Sequence, residues 1–185
     1  MWSRPSTSSP SKTCLSAVQT RVVQILFTLI CLVLAAAVQE LVPSFGGTAT
    51  PALLIFALYT AFQPLRRWML VALAAGAFED ALNGNPTPCC TFFTLLAAMA
   101  AHFLRPVAHD LPAAGVGACA AMAAAPIHEL WLSAWGVLPP GCPMLVRFFA
   151  SALPAAAAGA LVFVALPAAE RRTGFTVPAL EGRRR

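Results

Sequence analysis

Between Val22 and Ala169 the chain is a succession of six apolar runs, each ended by a cluster of proline, glycine or arginine. Nothing else in the sequence restricts the fold as much. The first run, Val22 to Val42, would be about 31 Å long as a helix, matching the ~30 Å hydrocarbon core of a bilayer. The others are Ala49 to Phe62, Trp68 to Leu82, Cys89 to Leu104, Leu111 to Leu132 and Leu145 to Ala169. No strand-type alternation and no repeat of solenoid length is visible. With 59% hydrophobic and 10% charged residues over 185 positions, too few polar side chains remain to clothe a water-soluble globule. The composition therefore speaks against a soluble enzyme. It predicts an all-α, polytopic membrane bundle of about six transmembrane helices. A single transmembrane domain over residues 21–170 would lie between a disordered cytoplasmic tail (1–20) and a basic cytoplasmic tail (171–185).

The basic residues set the orientation. With a cytoplasmic amino terminus, that side collects eleven of the twelve, from Arg4, Lys12 and Arg21 through Arg66, Arg67 and Arg105 to the carboxy-terminal arginines, and leaves only Arg147 outside. This is the pattern of the positive-inside rule, with both termini cytoplasmic. It also accounts for the net charge of +5 without nucleic acid. The first run has something of a signal peptide, with Arg21 before it and Ala35-Ala36-Ala37 within, but it continues past those alanines and further spans follow. The second run is short, so it must thin the bilayer or be shielded by neighbouring helices. Gly115 with Cys119, and Gly117 with Ala121, have the small-xxx-small spacing of close helix contacts, although an alanine-rich coding bias would also supply small residues.

Ionisable groups in such a chain are functional suspects. Glu40, Glu79, Asp80 and Glu129 gather with Arg147 at the outer ends of the predicted spans, where Arg147 could bridge to one of the acids. For Glu40 the simpler reading is that it reaches the headgroup layer. Glu79 and Asp80 point in different directions on a helix, so only one of them need face the bundle. His128-Glu129-Leu130-Trp131-Leu132 lacks the second histidine of a zinc protease motif. There is no phosphate-binding glycine loop, no G-x-S-x-G elbow and no C-x-x-C pair. No catalytic residue, metal or cofactor is therefore expected. His102 and His109 read as solvated boundary residues beside Arg105, and Cys14, Cys31 and Cys119 as a tail residue and two small apolar groups. Cys89, Cys90 and Cys142 all fall on the outer side, where one of the first two could pair with Cys142.

Pro51-Ala52-Leu53-Leu54, followed by Gly76-Ala77-Phe78-Glu79-Asp80-Ala81-Leu82-Asn83-Gly84-Asn85-Pro86, resembles the rod shape-determining protein MreD family. In that family a proline opens the second span, and a later helix ends in a pattern like G-x-x-x-D-x-x-x-G-x-P-x-G. Gly76, Asp80, Gly84 and Pro86 take those positions here, while Pro88 stands where the family usually has glycine. The resemblance implies a non-catalytic scaffold subunit of the bacterial elongation machinery in the inner membrane. Its partners would be an MreC-like single-span membrane protein, the MreB filament and the cell-wall synthases, together with membrane lipid. It also implies a bundle similar to the substrate-binding subunits of vitamin transporters. From the residues themselves, Asp80 is expected to accept hydrogen bonds from amides around Gly84 or to pair with Arg147. Two rival readings stand beside the scaffold. One is a vitamin or micronutrient uptake subunit using the gathered carboxylates with Trp131 and Trp135. The other is an intramembrane enzyme using Glu79, His128 and Glu129 as acid-base groups.

Overall fold

The computed structural model describes residues 11–41, 51–63, 68–85, 87–108, 110–136 and 144–173. Among these the chain is all-helical and without a strand. Its six helices are α1 (Ser11–Leu41), α2 (Ala52–Phe62), α3 (Trp68–Leu82), α4 (Cys89–Ala108), α5 (Ala113–Ala134) and α6 (Met144–Thr173). Three stretches, Cys89–Ala108, Ala113–Ala134 and Phe148–Ala169, are long and apolar enough to cross a membrane, and Ile25–Gln39 and Ala52–Phe62 are shorter apolar helices. Large apolar side chains point outward on several elements, among them Leu29, Ile30 and Val33 of α1, Phe103 and Val107 of α4, and Leu161 of α6. A monomer in water rarely exposes so much apolar surface. In lipid the same side chains meet a matching solvent.

Helix α2 forms the axis of the bundle. It packs against α1, α3, α4, α5 and α6, and every residue from Leu53 to Ala61 is buried. Its eleven residues rise only about 16 Å, half the thickness of a hydrocarbon core. A helix enclosed on all sides meets no lipid, so its length need not match the bilayer. Of the two expectations for this short run, shielding by neighbours is the one observed. The carboxy-terminal end of α2 is closed from α4, where a ring nitrogen of His102 lies 3.2 Å from the Ala61 carbonyl. Trp68 stacks on His102 with centroids 4.8 Å apart. His102 is therefore a half-buried packing residue rather than the solvated boundary residue expected.

Helices α5 and α6 are joined by small residues. A Cβ on Gly117 would stand 2.6 Å from the Phe163 ring and collide with the Gly159 carbonyl, and Gly159 has the reciprocal relation to Gly117. Ala121, Ala125 and Ala155 close the same seam with relative exposures of 1%, 1% and 0%. The Gly117–Ala121 pair thus does what its spacing suggests. The Gly115–Cys119 pair does not: Cys119 is exposed, and the nearest atom to a Gly115 Cβ is Pro112 Cγ at 3.4 Å.

Three expected boundaries move. Helix α1 begins at Ser11, so residues 11–20, expected in a disordered tail, are helical. No proline or glycine lies between Pro10 and Pro43 to stop the helix. Helix α4 continues through Arg105 and Pro106 to Ala108, because a proline in the last turn removes only one amide near an end that is already incompletely bonded. Helix α6 runs past Ala169 to Thr173, which carries it into the expected basic tail.

Candidate functional site

The corner between α3 and α4 is built from the spacing of Gly76, Asp80 and Gly84. Helix α3 ends in a Schellman motif. The Asn85 amide donates to the Asp80 carbonyl at 3.0 Å and the Gly84 amide to the Ala81 carbonyl at 3.3 Å. Gly84 has φ +63°, a left-handed conformation that a Cβ would strain. The chain then turns through Thr87 and Pro88 into α4, whose first-turn amides need acceptors. Pro88 offers no side-chain acceptor, and Asp80 supplies one from the preceding helix. Asp80 Oδ1 accepts from the Cys90 amide at 2.9 Å. Asp80 Oδ2 accepts from the Thr91 amide at 2.9 Å and the Thr91 hydroxyl at 2.7 Å. The Cys89 amide finds the Thr87 carbonyl at 2.8 Å and the Phe92 amide the Pro88 carbonyl at 3.1 Å. Every amide of that turn is satisfied, and the carboxylate sits where a helix N-terminus favours negative charge.

Gly76 lies one turn before Asp80 on the same face of α3. A Cβ there would collide with the Thr91 backbone, standing 2.9 Å from its nitrogen and 3.0 Å from the Cys90 carbonyl oxygen. The two residues therefore act together: Gly76 admits the start of α4 against α3, and Asp80 caps what has been admitted.

Glu79 is buried too, with 2% relative exposure. Neighbouring helical residues differ by about 100° in direction, and here both directions lead inward. Asp80 meets α4, while Glu79 meets α1 and α5. Gln39 Nε2 donates to Glu79 Oε1 at 3.5 Å. Gln39 Oε1 accepts from the Leu53 amide at 3.3 Å. Like α4, α2 follows a proline that gives no side-chain cap, and like α4 it takes its acceptor from the helix before it. On the far side, His128 Nε2 lies 3.6 Å from Glu79 Oε1, and the Phe93 ring packs on the imidazole with centroids 4.9 Å apart. Glu79 Oε2 and His128 Nε2 are fully buried and have no hydrogen-bond partner among the described residues. Trp131 closes the corner by donating Nε1–H to the Cys89 carbonyl at 2.9 Å.

This corner gathers one ligand-type atom from each of Glu79, Cys90 and His128 within 4.8 Å of one another, and a second such group from Asp80, Cys89 and Cys90. No metal set was expected, because the members of the first group come from α3, α4 and α5 and no local spacing announces them. Asp80 does not bond amides around Gly84 as expected. Its partners are Cys90 and Thr91, because the orphan donors of the corner belong to the helix that starts there. Its alternative partner Arg147, like Glu40, has a side chain outside the described residues, as do Pro86 and Cys142. Cys89 and Cys90 are free, buried thiols; the bridge expected from one of them to Cys142 falls on a residue outside the described ones. The two thiols face Asp80 and the asparagines of the turn, with Cys89 Sγ 3.6 Å from Asp80 Oδ1. Glu129 is half-buried and does not join Glu79 in the ligand cluster.

Gln39 carries no charge to mark it as a costly group in an apolar run, so it does not stand out as a site residue in the sequence. The signal was present: a polar side chain near the end of one helix and a proline opening the next, as at Gln39 and Pro51 and again at Asp80 and Pro88. No family model, curated protein or solved structure gives a significant match to the chain.

Proposed function

We propose that the chain is a non-catalytic scaffold subunit of the rod-type elongation machinery, crossing the bacterial inner membrane six times with both termini cytoplasmic. It would help couple the MreB filament and an MreC-like single-span partner to peptidoglycan synthesis and cell shape. The observation that carries this reading is the α3–α4 corner. The residues on which the resemblance to the MreD family rests are the ones used to fix two helices in one geometry: Gly76 for contact, Asp80 for the cap, and Gly84 for the turn. A corner whose turn residues are exposed and whose base is rigid is suited to hold a partner's membrane helix or its juxtamembrane segment. The bundle similarity to vitamin-transporter subunits belongs to the same proposal.

The test is co-purification of the single-span partner from native membranes with the parent and with Asp80→Ala, each at matched abundance in the membrane. The scaffold reading predicts reduced recovery with the variant, and rounding of rods when the chain is depleted. Undiminished recovery together with normal rods would refute it. One observation favours a second reading, a subunit that binds a small micronutrient: the buried, incompletely bonded Glu79 and His128 beside the α3–α4 corner. Under that reading depletion produces a nutrient requirement without a change of shape.

A further inference from the structure

We infer that Glu79, Cys90 and His128 form a binding site for one divalent transition-metal ion of the zinc type. The inference goes beyond the scaffold reading and does not depend on it. Three different donor types, a carboxylate oxygen, a thiol sulfur and an imidazole nitrogen, lie within 4.8 Å of one another and all three residues are buried. Oxygen donors alone would suit magnesium or calcium, whereas sulfur and imidazole together select zinc and its neighbours. Donor atoms around tetrahedral zinc lie roughly 3.3–3.8 Å apart, given metal–ligand distances of ~2.0–2.3 Å. Glu79 and His128 already stand at 3.6 Å, so rotamer changes of about an ångström complete the set.

The second observation is the state of the side chains themselves. Glu79 and His128 have relative exposures of 2% and 3%, and among the described residues Glu79 Oε2 and His128 Nε2 lack hydrogen-bond partners. Buried polar atoms are nearly always paired, and both of these are closed off from solvent. A metal ion would satisfy both at once. The charges of the ligand set also cancel: a thiolate, a carboxylate and a neutral imidazole carry two negative charges, which a divalent ion neutralises. Binding at Cys90 releases the thiol proton. The surroundings favour the exchange, since the Phe93 ring holds His128 in place and Gln39 Nε2 orients Glu79 Oε1. The α3–α4 turn adjoins the site, with Asn83 and Asn85 Nδ2 3.8 and 3.9 Å from Cys90 Sγ. Three protein donors leave a fourth position open, as in sites where the metal or its last ligand exchanges.

The test uses the full chain purified in detergent under reducing conditions, stripped with a chelator and titrated with Co2+. The site predicts one bound equivalent with a near-ultraviolet thiolate-to-cobalt charge-transfer band, bleached by Zn2+ and untouched by Mg2+. Cys90→Ser should abolish the band, while Cys14→Ser, Cys31→Ser, Cys119→Ser and Cys142→Ser retain it. Glu79→Gln and His128→Gln should weaken binding about tenfold or more, the loss that even an outer-shell partner produces. A parent without the band at saturating Co2+, or a band that survives Cys90→Ser, overturns the site. A further readout needs no variant: the parent's thermal midpoint should rise with Zn2+ and not with Mg2+, and a midpoint that does not move with Zn2+ overturns the proposal equally.

Discussion

Replacing Asp80 by alanine removes two acceptor atoms from the start of α4 and leaves the amides of Cys90 and Thr91, each now bonded at 2.9 Å, without partners. The Thr91 hydroxyl can turn to a backbone carbonyl, so its 2.7 Å bond adds little to the loss. A buried donor left unsatisfied costs roughly 1–3 kcal/mol, which for two amides spans roughly 2–6 kcal/mol. The relief of no longer burying a carboxylate offsets part of this, and measured cap deletions seldom exceed ~2 kcal/mol. The expected net loss is about 2–4 kcal/mol, at the upper end because the cap is enclosed by protein rather than water. Asp80→Asn keeps one acceptor but turns an NH2 group toward the other donor, so it should lose about half as much. Reversible unfolding in mixed micelles, followed by tryptophan fluorescence, measures both. Trp131 reports locally, since its Nε1–H is bonded to the Cys89 carbonyl at 2.9 Å. If Asp80→Ala stays within about 0.5 kcal/mol of the parent, the range of an ordinary surface change, the capping argument is wrong.

Gly76→Ala should destabilise by about 1–3 kcal/mol as an overpacking change, and its effect should be non-additive with Asp80→Ala because both act on one contact. Additive losses in the double-mutant cycle would contradict a joint role. Gln39→Leu should cost about 1–3 kcal/mol by stranding the Leu53 amide, measured by the same unfolding transition; unchanged stability would mean that the 3.3 Å bond contributes nothing. Gly159→Ala should separate α5 from α6 and lower the thermal midpoint, whereas Gly115→Ala, with only Pro112 Cγ at 3.4 Å, should leave it nearly unchanged. The free thiols of Cys89 and Cys90 should resist hydrophilic alkylating reagents until the bundle unfolds. A reductant-dependent gel shift lost in Cys142→Ser would instead reveal a bridge from one of them to Cys142.

Apolar runs and their breakers located all six helices, because periods of this length depend on local composition and on proline and glycine alone. Their ends were less legible. Arg105-Pro106 reads as a stop, yet α4 passes through it, since one absent amide in a last turn is tolerated. The resemblance to the MreD family marks Gly76, Asp80 and Gly84 as a turn device, but the donors that Asp80 serves do not lie around Gly84. Its true partners are 10 and 11 residues away, on a helix whose approach depends on Gly76. His128 read along the chain is half of an incomplete protease motif. Across the bundle it faces Glu79, 49 positions earlier in the sequence, and no linear pattern encodes that meeting. The same holds for Gln39, an uncharged residue in an apolar run whose importance appears only where α2 begins beside it.

With lipid as the solvent of this bundle, α2 is walled off from it by the other five helices. Labelling of the unmodified protein in liposomes with a lipid-soluble diazirine, followed by peptide mass spectrometry, tests this directly. Label is predicted on the outward residues Leu29, Ile30 and Val33 of α1, Phe103 of α4 and Leu161 of α6, with none on α2 from Leu53 to Ala61. Labelling of α2 as strong as that of α1, or outward faces that remain unlabelled, would contradict it.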